Sequence, residues 1–228
     1  MTFNSKFASP WLDNLSYNWD IFYKQGIVTH LKKNDYVFHE GDILNSVYVV
    51  LKGRIRTYLN TVDGKEKTLM VIGKNGLLGE NFIQGYDTYS TSGIAVSNAT
   101  LLIINKNKFN EIAFSEKQIL TQWLQLLSLK MEVLTQSYSN LFFNRIEQRL
   151  SRSLIYLAKT YGVIKENNRI KISIQFTHQE LADFIGSSRV TISNEISNFR
   201  KKGIISKNDG YYYIESMSKL KTIYFSDE

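Results

Sequence analysis

The chain has 228 residues, of which 43% are apolar and 13% aromatic, enough to bury the cores of one large or two modest domains. No apolar run approaches about 18 residues and residues 1–10 lack a signal-like pattern, so we expect a cytoplasmic protein with no membrane partner. The absence of cysteine excludes disulfides, thiolate-bound zinc, cysteine-ligated iron–sulfur clusters and thiol-based sensing. The net charge of +7 suits a polyanionic partner, and residues from Arg145 onward carry most of it, with 14 basic and 9 acidic side chains.

Short alternating segments and frequent glycines characterise the first half of the chain. Nine of the 13 glycines lie between Gly26 and Gly93, among alternating stretches such as residues 54–59. Asp63 and Gly64 separate two such stretches and predict a tight hairpin turn, because both residue types tolerate positive φ. We therefore predict that residues 1–115 form one domain, an antiparallel β-roll or barrel with an N-terminal helical segment.

Residues 116–143 contain no glycine and are predicted to form one long helix. Its apolar residues alternate in spacings of four and three: Leu120, Leu124, Leu127, Met131, Leu134, Tyr138 and Leu141. A seven-residue repeat kept over three heptads is typical of a coiled-coil seam, so we predict a homodimer formed along this helix. The alternative is a helix packed on its own β-domain, for which Ile119, Trp123 and Leu126 provide extra apolar surface. Both arrangements can hold at once.

A second domain is expected over residues 144–228. Asn144 and Glu147 have the spacing of a capping box and predict a new helix over residues 145–161, closed by Gly162. The break makes residues 143–145 a candidate hinge. Residues 169–174 then alternate as a strand, followed by two short helices and a hairpin.

The two short helices carry the motif that indicates function. Thr177 and Glu180 form a capping box for the first helix, Gly186 ends it, and Ser188 can cap the second helix. The predicted buried face of that second helix is Ile192, Ile196 and Phe199. This is the pattern of a helix-turn-helix, in which the second helix presents its first residues to the bases of double-stranded DNA.

A hairpin over residues 204–214, turning at residues 208–210, completes a winged helix-turn-helix. Arg189 is the predicted base-reading residue, and Arg200, Lys202 and Lys207 are predicted to contact phosphates. The full set of predicted DNA contacts is Thr177, His178, Ser187, Ser188, Arg189, Val190, Thr191, Ser193, Asn194, Arg200, Lys202 and Lys207.

On these residues the chain resembles the Crp/Fnr family of bacterial regulators, most closely over residues 176–205. Residues 39–42 (His-Glu-Gly-Asp) resemble the family's first β-turn, and residues 78–80 (Leu-Gly-Glu) resemble the start of its phosphate-binding cassette. The resemblance extends over about residues 26–214. It implies an α+β protein with a cyclic-nucleotide-binding-domain-like β-roll that serves as the sensor domain, a long dimerisation helix and a winged helix-turn-helix. It also implies RNA polymerase as a partner and no enzymatic activity.

The sensor region departs from the family pattern. Ser90 and Thr91 stand where cyclic-AMP-binding members have Arg and Ser, and no Lys or Arg lies between Glu80 and Lys106, so a buried phosphate would lack a charged partner. No cofactor is expected: cyclic AMP and an iron–sulfur cluster are disfavoured, as is haem held by His30 or His39. A small neutral or aromatic effector, or none, is expected. The candidate pocket is neutral and aromatic-lined: Gly79, Glu80, Asn81, Tyr86, Tyr89, Ser90, Thr91, Trp123, Leu127, Leu134 and Thr135.

The recognition helix departs as well, because Val190 and Asn194 replace the Glu and Arg of many relatives, whereas Arg189 is retained. Two alternatives stay open. One is a cyclic-nucleotide-responsive regulator. The other is a cupin-like metalloenzyme, which would need a His-x-His pair, a glutamate and a further histidine, whereas the three histidines of this chain are not spaced in that way. No metal ligands or catalytic residues are therefore predicted.

Overall fold

A computed structural model describes residues 9–226, without the side chains of Gln84 and Asn167; part of residues 1–10, on which the absence of a signal sequence was inferred, thus lies outside the described residues. The chain divides into two compact units between Thr135 and Gln136. This division falls within the long helix, earlier than the predicted boundary after residue 143. No helix in the described range has the length and apolar character needed to span a membrane.

The N-terminal unit is built from two β-sheets, with strand orders β1-β6-β5-β8-β3 and β2-β9-β4-β7. The strands are β1 (Trp11–Leu12), β2 (Gly26–Leu31), β3 (Tyr36–Phe38), β4 (Ser46–Lys52), β5 (Ile55–Asn60), β6 (Glu66–Ile72), β7 (Leu77–Leu78), β8 (Ser92–Ala95) and β9 (Ala99–Asn105). All neighbouring strands are antiparallel except β1 and β6, which run parallel. The predicted α+β class with an N-terminal β-roll is confirmed.

Strand β4 shows why the roll needs helices as well as sheets, because it is buried on both faces. Tyr48 and Val50 point into the core between the sheets, whereas Val47 and Val49 pack on the other side among aromatic residues of the helices. Those helices are α1 (Lys106–Ser115) and α2 (Lys117–Phe143). Alternation places successive side chains on opposite faces of a strand, so this strand must be covered on both sides.

Two details of this unit differ from the predictions. The expected N-terminal helical segment is, among residues 9–25, a single 3₁₀ turn at Asp20–Phe22. The hairpin at Asp63 and Gly64 is wider than a two-residue turn: the Thr61 N–H donates to the Lys65 carbonyl at 2.9 Å, and only Gly64 adopts a positive φ, of 78°. A type I turn followed by a left-handed glycine produces this longer loop.

The C-terminal unit contains four helices after the end of α2 and one four-stranded sheet of order β10-β11-β13-β12. The elements are α3 (Ile146–Tyr161), β10 (Gly162–Ile164), β11 (Ile170–Ile172), α4 (His178–Ile185), α5 (Arg189–Lys201), β12 (Ile205–Asn208), β13 (Tyr211–Ile214) and α6 (Met217–Phe225). Helix α3 forms the centre of this unit, since every residue from Leu150 to Ala158 is buried. Strand β10 was not predicted, and β11 is shorter than the predicted strand over residues 169–174.

The predicted capping box of Asn144 and Glu147 is wrong by one residue. Arg145 is the N-cap of α3, and its N–H donates to Gln148 Oε1 at 2.8 Å. Asn144 cannot take that role because its backbone N–H is still bonded to Asn140 in the last turn of α2, at 3.1 Å.

The end of α2 belongs to the C-terminal unit because Arg152 of α3 holds it. The guanidinium donates to Asn140 Oδ1 at 2.5 Å and to Gln136 Oε1 at 2.6 Å, and to the Tyr156 hydroxyl of its own helix. Earlier in α2, Ile119, Trp123 and Leu126 are buried in the N-terminal unit, as the packing interpretation predicted.

Candidate nucleic-acid interface and β-roll cavity

The turn between α4 and α5 follows the predicted local rules. Thr177 Oγ1 accepts a hydrogen bond from the Glu180 N–H at 3.1 Å, and Glu180 Oε2 accepts one from the Thr177 N–H at 2.6 Å. Gly186 adopts a φ of 76°, a left-handed conformation that glycine alone reaches without strain. The N–H groups of Gly186 and Ser187 then both donate to the Ala182 carbonyl, at 2.9 and 3.0 Å.

Arg149 of α3 supports this turn from below, a role that sequence analysis missed. Its Nη1 donates to the carbonyl of Ile185 at 2.9 Å and to that of Gly186 at 3.4 Å. A cation is favourable at the C-terminal end of a helix, where carbonyl groups lack partners. Burial lowers the pKa of the guanidinium. The only signal in the sequence is an arginine in the preceding helix, and arginines are too common at such positions to identify this role.

Helix α5 has one buried face and one exposed face at its N-terminal end. Ser188 caps it, since Ser188 Oγ accepts from the Thr191 N–H at 3.0 Å. Ile192, Ile196 and Phe199 are buried, as predicted. The exposed side chains at the start of the helix are Arg189, Val190 and Asn194, and Val190 is 70% exposed. A valine in this position exposes its apolar side chain to water and contributes little to the packing of the unit.

His178 and Ser193, both predicted to contact DNA, form hydrogen bonds within the unit. The two ring nitrogens of His178 lie 2.7 Å from Ser193 Oγ and 2.7 Å from the Tyr212 hydroxyl. The ring thus connects α4 with α5 and with β13. Burial, followed by the positive charges of Lys207 and Arg189, lowers the pKa of His178. Both side chains therefore already have partners within the unit, and the DNA contacts predicted for them remain predictions.

The wing is formed by β12 and β13, joined at Asp209 and Gly210, whose φ angles are 49° and 80°. Two successive positive φ angles are the geometry of a type I′ hairpin turn. The predicted phosphate-binding cations Arg200, Lys202 and Lys207 are all exposed. Because these cations already lie at the surface, they can contact the phosphates of a polyanion without a rearrangement of the unit.

A cavity of about 230 Å³ lies in the N-terminal unit between the β-roll and α2. Eight of the predicted pocket residues line it: Gly79, Glu80, Asn81, Tyr89, Ser90, Thr91, Leu127 and Leu134. The remaining lining residues come from strands and from α2: Phe38, Thr57, Leu69, Met70, Ile72, Leu78, Lys130 and Met131.

Three predicted pocket residues do not line the cavity. Trp123 is fully buried behind it, stacked on Phe82 at 5.6 Å between ring centroids. Thr135 is exposed on α2, and Tyr86 lines a separate surface depression. Trp123 precedes Leu127 by four positions, about one helical turn, and at that level of α2 its side chain packs against Phe109 in the core and not against the cavity.

Lys130 lies at the cavity and contradicts the predicted neutral lining. Its ammonium donates to the Leu77 carbonyl at 2.8 Å and forms an ion pair with Glu80. The two side chains are only 14% and 6% exposed. Helical spacing could have found this residue, because Lys130 follows Leu127 by three positions and precedes Leu134 by four.

The other polar groups of the cavity are neutral. Tyr89 donates to the Ser46 carbonyl at 2.9 Å and stacks on Phe38 with ring centroids 4.1 Å apart. Burial and the neighbouring Tyr48 hydroxyl raise the pKa of Tyr89, so its phenol keeps its proton. Within residues 9–226, no group of three or more histidine and carboxylate side chains is placed to hold a metal ion.

Comparison with known proteins identifies both units. A sequence family described as the cyclic nucleotide-binding domain matches residues 28–116, and one described as the Crp-like helix-turn-helix domain matches residues 148–223. The anaerobic regulatory protein of Bacillus subtilis is 28% identical over 177 residues, which are 77% of this chain and 74% of that protein. The cyclic AMP receptor protein of Thermus thermophilus is 23% identical over 83% of this chain and 84% of its own length.

The fold agrees with this comparison. The solved structure of FixK2 from Bradyrhizobium japonicum superposes with a TM-score of 0.76 at 13% identity, covering 89% of this chain and 99% of that one. The two sequence matches follow one another in the order in which the β-roll and the helix-turn-helix occur here. The chain therefore belongs to the Crp/Fnr family of DNA-binding transcription regulators, which are not enzymes.

Proposed function

We propose that this protein is a homodimeric regulator that reads a palindromic DNA site with the first residues of α5. The observation that carries the proposal is the exposure of Arg189, Val190 and Asn194 at the start of a helix whose other face is buried. In a helix-turn-helix, this end of the second helix enters the major groove. RNA polymerase would be a further partner, and the protein would act in the bacterial cytoplasm.

The exposed side chains favour a half-site that contains guanine followed by thymine. The forked donors of Arg189 match the O6 and N7 acceptors of guanine. Val190 cannot accept a hydrogen bond from cytosine, but its methyl groups can pack on the methyl group of thymine. Asn194 suits either adenine or a phosphate. A two-fold dimer would read an inverted repeat whose half-sites are about 34 Å apart.

The dimer proposal is supported by the seam of α2. Leu124, Met131 and Tyr138 are 55%, 65% and 66% exposed in the single chain. Leu120 and Leu127 are half-buried at the N-terminal end of the same stripe. Large apolar side chains left exposed at heptad spacing are the surface that a second copy of the helix covers.

The proposed effector is not a cyclic nucleotide. Neither Ser90 nor Thr91, the residues at the family's phosphate-binding positions, carries a charge. Among the described residues that line the cavity, the one cation is Lys130, and its charge is already matched by Glu80. A nucleotide phosphate buried there would have no arginine as its partner.

Selection of bound fragments from random DNA tests the proposed function. The wild-type protein should enrich inverted repeats with a guanine in each half-site. Arg189→Ala should weaken binding by about 1–3 kcal/mol per half-site and remove the guanine preference. Lys202→Ala, the matched control, should weaken all sequences alike and reduce the salt dependence. If Arg189→Ala keeps the guanine preference, the assigned readout is wrong, and if no sequence is enriched, the function is wrong.

A further inference from the structure

The buried pair of Lys130 and Glu80 lies in the N-terminal unit, apart from the residues predicted to contact DNA. Lys130 comes from α2, and Glu80 begins the short turn Glu80–Gln84, next to Gly79 with its φ of 76°. The pair therefore connects the long helix to the turn at one end of the cavity. Removing two charges from water costs several kcal/mol, which their attraction repays only in part.

The ammonium of Lys130 has capacity for another acceptor. It carries three N–H donors, and the Leu77 carbonyl and the Glu80 carboxylate occupy two of them. The remaining described lining residues are apolar side chains or neutral hydroxyls and amides. A ligand in this cavity consequently meets one cation in apolar surroundings, with one carboxylate as its competitor.

The size of the cavity limits the ligand. Its volume of about 230 Å³ lies between that of an engineered cavity that holds benzene, about 150 Å³, and the roughly 300 Å³ at which pockets for drug-sized ligands begin. A single ring or a short aliphatic chain with one polar head group fits these limits. A nucleotide, with a base, a sugar and a phosphate, is larger than this class.

We propose that the cavity binds an apolar organic acid whose carboxylate replaces Glu80 as the partner of Lys130. The proposal rests on the proposed function, because it names the chemical class of the effector. Exchange of one carboxylate for another keeps the ammonium paired, and the displaced Glu80 carboxylate turns to water as the Glu80–Gln84 turn moves away from α2. Ligand binding would thereby reach the helix that carries the dimer seam.

Two acids and their amides provide matched probes. Benzoate and hexanoate have the proposed chemistry, and benzamide and hexanamide have the same shape without the charge. Tryptophan fluorescence of the full chain can follow binding, because Trp123 stacks on Phe82 in the turn that would move. The wild-type protein should bind at least one acid saturably and should bind its amide at least about tenfold more weakly, as expected when a charge-assisted hydrogen bond is lost.

Three variants separate this proposal from nonspecific apolar binding. Glu80→Gln removes the competitor and should tighten acid binding by about tenfold or more. Lys130→Met should abolish acid binding, and the double variant Lys130→Met with Glu80→Gln should do the same without leaving a buried charge unpaired. Lys106→Met, remote from the cavity, should change nothing.

Equal binding of acids and amides, absence of binding by either acid, or an unchanged affinity in Glu80→Gln would each overturn the proposal. DNA selection with the same preparations keeps the two conclusions apart. Loss of acid binding with intact sequence selection refutes the ligand class alone, whereas acid binding without sequence selection refutes the proposed regulator.

Discussion

The two units present their functional residues in different ways. In the C-terminal unit, the exposed side chains of the interface come from one short stretch, residues 177–207, and each is oriented by a cap or a turn within a few residues of it. In the N-terminal unit, the cavity is assembled from β3, β5, β6, β7 and α2 and from the segment between β7 and β8. Caps and turns close in the sequence therefore position the interface residues, whereas the cavity residues are brought together only by packing between distant segments.

The units also differ in how they use charge. The cations of the interface, such as Arg189 and Lys202, stay in water and are free to meet a polyanion. The cation of the cavity, Lys130, is buried and held by a carboxylate. Exposed charges steer and position DNA at little cost in folding free energy, while a buried pair is sensitive to any group that can replace one partner. The following substitutions test this contrast.

The largest effect is expected at the dimer seam. Leu124→Asp combined with Met131→Asp would place unpaired charges where the partner helix packs, so we expect monomers. Losing the second recognition helix should reduce affinity for the full site by about 10²- to 10⁴-fold. Sedimentation and DNA titration measure the two effects. Gln118→Asp with Gln125→Asp adds the same charge to exposed positions off the seam and should leave the dimer intact. An unchanged dimer in the seam variant would contradict the assignment.

Replacing one glycine of positive φ in each unit should destabilise that unit alone. Gly186 and Gly64 both adopt positive φ, 76° and 78°, so alanine at either should cost about 1–2 kcal/mol. Trp11, Trp19 and Trp123, all the tryptophans of the chain, precede the division, so their fluorescence reports on the N-terminal unit. Gly64→Ala should lower the midpoint measured by fluorescence. Gly186→Ala should lower only a transition seen by circular dichroism, and equal fluorescence shifts would refute the prediction.

A smaller effect concerns pH and the connection through His178. Its pKa is lowered in the folded state, mainly by burial, so the unfolded state binds more protons below its ordinary value of about 6.5. Stability of the C-terminal unit should therefore be complete above pH 6.5 and should fall as the pH decreases below it. His178→Gln should flatten this dependence, measured as the circular dichroism midpoint between about pH 5 and 7. The same slope in both proteins would show that another group titrates.

No effect is expected from cyclic nucleotides. Adding cyclic AMP or cyclic GMP should change neither the melting temperature nor the DNA affinity, because Ser90 and Thr91 provide no charge for the phosphate. A ligand that binds the folded state raises its stability by RT ln(1 + [L]/Kd), so binding would be visible as a saturable thermal shift. Such a shift, lost in Lys130→Met, would mean that the buried lysine serves a phosphate.

The errors of prediction follow the same division between local and distant contacts. The capping residues Thr177 and Ser188 were predicted, because a cap depends on neighbours three residues away. Trp123 was wrongly assigned to the cavity, because the packing of α2 against the sheets decides which of its residues meet the cavity. Lys130 was missed, although its spacing from Leu127 and Leu134 indicated the same face of the helix. The hydrogen bonds of His178 were not predicted, because its partners, Ser193 and Tyr212, are 15 and 34 residues away.

The class of protein, the order of its parts, the helix-turn-helix and the heptad spacing of α2 could be predicted from the amino-acid sequence, since these depend on periodicity, capping and turn residues over short stretches of chain. The tertiary structure decided the lining of the cavity, the ion pair between Lys130 and Glu80, and the inward position of the His178 ring. Each of these brings together residues tens of positions apart, and such contacts form only when the sheets and helices have packed.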